Sequence, residues 1–314
     1  MNDDFLLTIA IPVYNREKIV RQTLDSVAAQ TFRPLKVILV DNNSTDRTFE
    51  VLQSWKKDNE SADFQIQVLQ ESKPGASAAR NCALRNVETE WTMFFDSDDL
   101  MLPRHVEYAV EALQKSPGCN VVGWEQAFIY NDKIISVPFS SAKESLWFYT
   151  IVYDIFQTQR YMAKTELFKT AGGWNDELMV SEDMELGLRL IRQNLNMTKY
   201  TGDSQVHTIL SEDSLTRGKK SVTMQYSINS WRKIMPLIPS NMKKWADFHR
   251  IYQWAAIGKV NLKELDLSKD DWAKGNFLWR LLLKAVYHYT VNGGRGAMRV
   301  FLLLANKTKK PVFV

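Results

Sequence analysis

Short apolar, β-rich runs alternate with amphipathic helical stretches four times in roughly the first hundred residues, and that order leaves few folds open. Leu6-Leu7-Thr8-Ile9-Ala10-Ile11-Pro12 and Leu35-Lys36-Val37-Ile38-Leu39-Val40 have the near-continuous hydrophobicity of parallel strands buried on both faces. The first passes through Val13-Tyr14-Asn15-Arg16-Glu17 into a stretch bearing Ile19, Val20, Leu24 and Val27, read as a helix ending near Gln30. The second passes through Asp41-Asn42-Asn43-Ser44-Thr45-Asp46, where Ser44 or Thr45 is expected to N-cap a helix through Phe49, Val51, Leu52 and Trp55. A third strand, Gln65 to Gln70, leads through Pro74-Gly75 to a helix from about Ser77, and Trp91 to Phe95 forms the fourth strand. This pattern predicts a doubly wound α/β sheet with its ligand at the carboxyl ends of the strands.

At the end of that fourth strand, Asp96-Ser97-Asp98-Asp99 places three carboxylates where a buried strand emerges into solvent. Crowded like charges need a counter-charge. A hard divalent cation, Mn²⁺ or Mg²⁺, takes oxygen ligands only and leaves positions open for phosphate oxygens. The pattern therefore points to a metal-bound diphosphate, against the plainer reading of a solvated helix cap. Tyr14 offers an aromatic face for base stacking, while Asp41 can accept from a pyrimidine edge and Asn42 can both accept and donate. The competing reading packs Tyr14 in the core and leaves Asp41 capping a turn.

Four segments, Ile11-Pro12-Val13-Tyr14-Asn15-Arg16, Val40-Asp41-Asn42-Asn43-Ser44-Thr45-Asp46, Gly75-Ala76-Ser77-Ala78-Ala79-Arg80-Asn81 and Phe95-Asp96-Ser97-Asp98-Asp99, resemble in order and spacing the motifs of family 2 inverting glycosyltransferases of the GT-A fold. The resemblance continues through Gly172-Gly173-Trp174-Asn175 and Ser181-Glu182-Asp183, covering roughly residues 5 to 215. It implies a Rossmann-like, mostly parallel sheet flanked by helices. It also implies transfer of a sugar from a nucleotide diphosphate donor, commonly a UDP-sugar, to an acceptor hydroxyl with inversion. By the same resemblance Pro12, Arg80 and Ser97 lie at the nucleotide-sugar, Asp96 holds the ribose or supports the metal, Asp98 is the main metal ligand, and His207 is a metal or phosphate ligand. Family members often carry Asp-Asp-Gly where this chain has Asp41-Asn42-Asn43, and an amide suits several base edges.

Ser181-Glu182-Asp183 precedes Met184, Leu186, Leu188, Leu190 and Ile191, a run compatible with a buried helix whose first turn presents carboxylates. Single-step inversion needs a base opposite the leaving group. Asp183, which matches the family's Glu-Asp motif, is the candidate and Glu182 the reserve; a capping pair favoured by the helix dipole is the alternative. Gly172-Gly173 permits positive φ or a close backbone approach, and Trp174 beside it is read as stacking on an acceptor sugar, with a core anchor as the competing role.

The 314 residues leave room for a catalytic domain, residues 1–215, and a C-terminal helical subdomain, residues 216–314. Within the first, the nucleotide-sugar side is expected over about 5–115 and the acceptor side over about 116–215. Cys82 and Cys119 lack metal-ligand spacing and read as reduced thiols of a cytoplasmic protein. The start, Met1-Asn2-Asp3-Asp4, is unlike a signal peptide, and no apolar stretch reaches the roughly 18 residues needed to cross a bilayer.

Charge is distributed unevenly, at +14 over residues 215–314 and −10 over residues 1–214. In the basic part, Arg280, Lys284 and His288 form one polar stripe on the apolar stretch 277–288, and Arg295 and Arg299 repeat the spacing beside Val300-Phe301-Leu302-Leu303-Leu304. Such helices suit an anionic membrane surface, contacted through about 277–310; a packed subdomain or a homodimer face is the other reading. Leucine-rich helices and the lack of a nucleic-acid motif argue against a nucleic-acid partner. A dinucleotide oxidoreductase lacks its Gly-x-Gly-x-x-Gly, since Pro12-Val13-Tyr14 follows the first strand. An inert nucleotide-sugar or glycan-binding protein would tolerate loss of Asp98 and Asp183, yet both are present. A processive synthase would carry Gln-x-x-Arg-Trp and membrane helices, neither of which occurs. The expectation is a non-processive enzyme adding single sugars to a glycan or lipid-linked acceptor in surface polysaccharide or glycolipid assembly.

Overall fold

In the computed structural model, the strand–helix alternation builds a sheet with β1 (Leu7–Val13) inside it, then α1 (Val20–Ala28), β2 (Leu35–Asp41), α2 (Thr48–Asn59), β3 (Phe64–Gln70), α3 (Ala76–Asn86) and β4 (Trp91–Phe94). The described residues are 5–130, 133–137, 139–142, 146–200, 206–209, 220–260, 277–292 and 294. The chain continues with β5 (Asp99–Met101), α4 (His105–Gln114), β6 (Val121–Gly123), β7 (Gln126–Tyr130), β8 (Lys133–Val137), α5 (Leu146–Tyr153), β9 (Tyr161–Lys164), α6 (Thr165–Thr170), α7 (Glu182–Leu190), β10 (Met197–Lys199) and β11 (Val206–Ile209).

Seven strands form a sheet in the order β10-β6-β9-β4-β1-β2-β3, and four more form a second sheet in the order β5-β11-β7-β8. In the large sheet β1 pairs in parallel with β2 and β4, and β2 with β3, while β9 runs antiparallel to both β4 and β6. Both strands flanking the β1–β2 seam are buried almost throughout, which is why they read as continuous apolar runs. On one side α1 buries Val20, Leu24 and Val27, spaced four and three residues apart, and α2 buries Leu52 and Trp55. Trp55 Nε1 donates to Asp25 Oδ1 at 2.9 Å, satisfying the buried indole. The parallel strands all end at one edge, so the loops after β1, β2, β3 and β4 converge there.

Some boundaries differ from the sequence reading. Helix α2 begins at Thr48, beyond the expected caps: Ser44 Oγ accepts from the Asn15 amide, and Asp46 Oδ1 accepts from the Thr48 amide. The loop is longer because it is tied to its neighbour after β1. Late in the unit β10 ends at Lys199 and β11 begins at Val206, with 201–205 outside the described residues.

Contact within the chain separates two units, residues 1–211 and 212–314. The second comprises α8 (Lys220–Ile234), α9 (Lys243–Ile257) and α10 (Phe277–Val291). Trp231 donates to Gln253 at 2.9 Å and Trp254 to Ser227 at 3.1 Å, locking α8 to α9. On α10, Leu283 and Tyr287 are buried, whereas Phe277, Leu278, Leu281, Leu282 and Tyr289 are exposed, with Arg280, Lys284 and His288 also on the surface. Arg295, Arg299 and 300–304 lie outside the described residues. No helix among those described is long and apolar enough to cross a membrane, and both cysteines are free and buried.

Candidate active site

The loop after β1 carries Tyr14, 54% exposed and free to offer a ring face, while Pro12 sits opposite Val40 on the strand itself. Asn15 adopts φ +49° and its Oδ1 accepts from the Thr45 amide at 2.8 Å, stitching this loop to the one after β2. Asp41 ends β2 buried: its Oδ2 accepts from the Ser44 amide at 3.3 Å, and Oδ1 has no hydrogen-bond partner among the described residues. A buried, unsatisfied carboxylate oxygen beside an exposed tyrosine suits a ligand that brings an N–H donor.

Asn42 requires a correction. Its Nδ2 donates to the carbonyls of Glu71 and Lys73, at 3.0 and 2.7 Å, and its Oδ1 accepts from the Gly75 amide at 2.7 Å. Both amide donors and one acceptor position are committed to the loop after β3, so the side chain shapes that loop rather than reading a base. Gly75, at φ +119°, opens α3 from that loop.

Arg80 leaves α3 almost completely buried and joins three motifs that lie far apart in sequence. Its guanidinium donates to Asp96 Oδ1 at 2.8 Å and to Glu182 Oε1 at 3.2 Å, and lies over the Trp174 ring 4.6 Å from the centroid. Burial favours loss of its proton, but Asp96, Asp183 and Glu182 together outweigh it and hold the group charged. Here too Trp174 departs from expectation: it is 3% exposed, edge-on to Phe94 at 5.4 Å between centroids. With a guanidinium on its ring and the core around it, it anchors the site and presents no face to an acceptor sugar. Gly173, at φ +71°, lies so close to Asn81 that a Cβ would meet its Oδ1 at 2.5 Å; Asn81 in turn binds both the amide and the carbonyl of Trp174, each at 2.8 Å.

The acidic run is held by an unforeseen side chain. Gln159 Nε2 donates to both Asp96 Oδ2 and Asp99 Oδ2, and Thr208 Oγ1 adds a bond to Asp99 at 3.1 Å. Ser97 is buried beside them. Asp99 begins β5 and caps no helix. Asp98 Oδ2 meets Arg16 at 3.3 Å. Burial, followed by the charge of Asp96, raises the Asp98 carboxyl, and burial with Asp96 and Asp98 raises that of Asp99 well above the usual range. The run is thus short of positive charge, and its hard oxygen donors fit a divalent cation. His207 pairs with Leu100 across the β5–β11 ladder, one residue out of step with the Thr208–Asp99 pair, so its side chain leaves the opposite face from Asp99. Among the described residues no group of three His, Cys, Asp or Glu side chains is arranged to hold a metal.

Glu182 and Asp183 open α7 after Ser181, which takes φ +61°. Asp183 Oδ1 accepts from Thr158 Oγ1 at 2.9 Å and Oδ2 from the Thr158 amide at 3.2 Å. Burial foremost, then Glu182 and Asp96 working against Arg80, raise its carboxyl to about 7. Asp154, at φ +45°, lies close by, and burial first, then Asp183, raises its carboxyl well above the usual range. Sequence reasoning missed Thr158, Gln159 and Asp154. The available signal was Gln157-Thr158-Gln159-Arg160, a polar interruption between apolar runs at 146–156 and 161–163.

A profile described as "Glycosyl transferase family 2" matches residues 8–169. Over 194 residues the chain is 24% identical to an uncharacterized glycosyltransferase, RT0329, of Rickettsia typhi, covering 60% of this chain and 59% of that protein. A 115-residue segment is 33% identical to the UDP-Glc:alpha-D-GlcNAc-diphosphoundecaprenol beta-1,3-glucosyltransferase WfgD of Escherichia coli, covering 36% of this chain and 43% of that one. The chain therefore spans about half the length of these curated relatives. Among solved structures, S. aureus TarS residues 1–349 in complex with UDP-GlcNAc superimposes with a TM-score of 0.59 at 16% identity, covering 95% of this chain and 92% of that one. That likeness concerns the fold, which is of the GT-A type. With a matching profile across more than half its length and the motif residues gathered at one sheet edge, this chain belongs to glycosyl transferase family 2.

Proposed function

We propose that this chain transfers one sugar from a UDP-sugar to an acceptor hydroxyl with inversion, with Asp183 as the base. The observation that supports it most is the buried Arg80, which joins Asp96 at the end of β4 to Glu182 next to Asp183, setting the donor side and the base side against each other. Tyr14 stacks on the uracil, and the unsatisfied Asp41 Oδ1 accepts from its ring N–H. Asp183, raised toward neutrality, accepts the proton of the acceptor hydroxyl as its oxygen attacks the anomeric carbon from the side opposite the diphosphate. The guanidinium of Arg80 holds Asp96 and Glu182 in fixed orientation, at no cost in reorganisation during the reaction.

Asp98, supported by Asp96, would hold Mn²⁺ or Mg²⁺. When bound, that ion offsets the negative charge on the departing diphosphate, so the leaving group needs no acid. His207 is proposed as a further ligand, since it pairs with Leu100, two residues after Asp98 and so on the side of the ladder opposite Asp99. The name of the WfgD relative gives it a UDP-glucose donor and a lipid-diphosphate-linked acceptor. A lipid-linked glycan is the acceptor proposed here, reached from the cytoplasmic membrane face. The exposed apolar side of α10, flanked by Arg280, Lys284 and His288, would rest on anionic headgroups.

The test is release of free UDP from UDP-sugars with Mn²⁺ present, including slow hydrolysis without acceptor. Turnover lost in Asp183→Asn supports the reading. UDP binding without turnover by the wild-type chain of any UDP-sugar would leave a nucleotide-sugar-binding protein.

A further inference from the structure

The 3-10 turn Thr158–Arg160 touches both halves of the site at once. Thr158 gives its amide and its hydroxyl to the two oxygens of Asp183, and the next residue, Gln159, gives one amide to Asp96 and Asp99. The buried guanidinium of Arg160 donates to the carbonyls of Tyr153 and Asp154 at 3.2 and 3.4 Å, tying the turn to the end of α5. Immediately afterwards β9 pairs antiparallel with β4, Met162 opposite Met93, so the turn rides on the strand that delivers the acidic run. Nothing in the buried Thr158 side chain is needed to form the turn itself, and its hydroxyl is aimed at a carboxylate rather than at the backbone.

We infer that Thr158 is the positioning residue of the base, clamping both oxygens of Asp183 so that the remaining lone pairs face the acceptor hydroxyl. The inference rests on the reading of Asp183 as base. A carboxylate offers about four acceptor sites. Occupying one on each oxygen fixes the rotation of the group about its Cβ–Cγ bond and leaves the others in a defined direction. Positioning of this kind raises the rate without contributing to donor binding, because the reacting atoms must meet within a narrow geometry. The hydroxyl also favours the charged carboxylate, against the groups that face it from every side: Glu182 on α7, Asp96 after β4 and Asp154 after α5, with Arg80 on α3 and the Tyr161 hydroxyl on β9 completing the shell.

The experiment compares Thr158→Val, which keeps the amide and the branched shape, with Thr158→Ser, which keeps the hydroxyl. Thr158→Ala, with no branch to accommodate, gives a second measure of the same loss. For Val and Ala kcat is expected to fall roughly 10-fold or more, the scale of one hydrogen bond to a charged group. The KM for donor and the calorimetric affinity for UDP stay unchanged, and the acid limb of the kcat profile moves to higher pH. Ser is expected to restore most of the rate and the wild-type limb. Wild-type kcat and pH profile in folded Val and Ala variants would overturn the inference, as would a parallel loss of UDP affinity, which marks a merely structural role. Asp183→Asn separates the two ideas. If it is inactive while Thr158→Val is unaffected, only the clamp fails; if it turns over normally, the base assignment fails first.

Discussion

Asp183 carries the chemistry proposed here, and its surroundings set a pH at which it can work. A base acts only when deprotonated, and with its carboxyl raised to about 7 by burial, Glu182 and Asp96, kcat should rise about tenfold per pH unit below that value and level off above it. A limb near the ordinary carboxylate value of about 4 would assign the base elsewhere. Asp183→Asn should lower kcat by roughly 10²-fold or more, with UDP affinity unchanged in calorimetry. Asp98 makes a separate prediction: Asp98→Asn removes a charged oxygen from the run but no core volume, so Mn²⁺-dependent UDP binding should be lost while the circular dichroism spectrum stays the same. The chemical types at these positions were legible from sequence, because a strand-end carboxylate cluster is conspicuous. Their partners were not: Gln159 and Thr158 lie about sixty and twenty-five positions away from the carboxylates they hold.

Between elements, the loops matter as much as the strands that present them. Gly173 joins α6 to the start of the base-bearing segment with φ +71° and no room for a Cβ against Asn81 Oδ1. Gly173→Ala should therefore destabilise the fold by about 1–3 kcal/mol, read from the shift in urea midpoint, because backbone strain adds to the loss of the Asn81–Trp174 bonds. Since Trp174 supports Arg80, donor affinity should fall as well. Reading Asn42 as a base contact and Trp174 as a sugar platform went astray for one physical reason. A polar amide and an aromatic ring next to a site satisfy either the ligand or the fold, and only the position of Asn81, Arg80 and the loop after β3 decides which. The expected cap of α2 failed similarly, since Ser44 had a partner across the neighbouring loop.

For the whole molecule, charge and apolar surface point in one direction. Residues 215–314 carry +14, and α10 exposes Phe277, Leu278, Leu281 and Leu282 beside Arg280 and Lys284. Co-sedimentation with anionic but not neutral vesicles is expected, weakened by salt and by Arg280→Glu with Lys284→Glu, since each basic residue near such a surface contributes on the order of 1 kcal/mol that is screened within a Debye length. No sedimentation with anionic vesicles at low salt would leave this face to another subunit or to packing. What the amino-acid order determined by itself was the alternation of buried strands and one-sided helices, hence the doubly wound sheet and the edge at which its loops gather, because strand and helix periodicities are local properties of the chain. Tertiary structure alone decided which polar side chains stay available at that edge. Arg80, Thr158 and Gln159 acquire their roles from contacts across 16 to 102 positions of sequence, and hydrogen-bond satisfaction over such separations is settled only when the chain has folded.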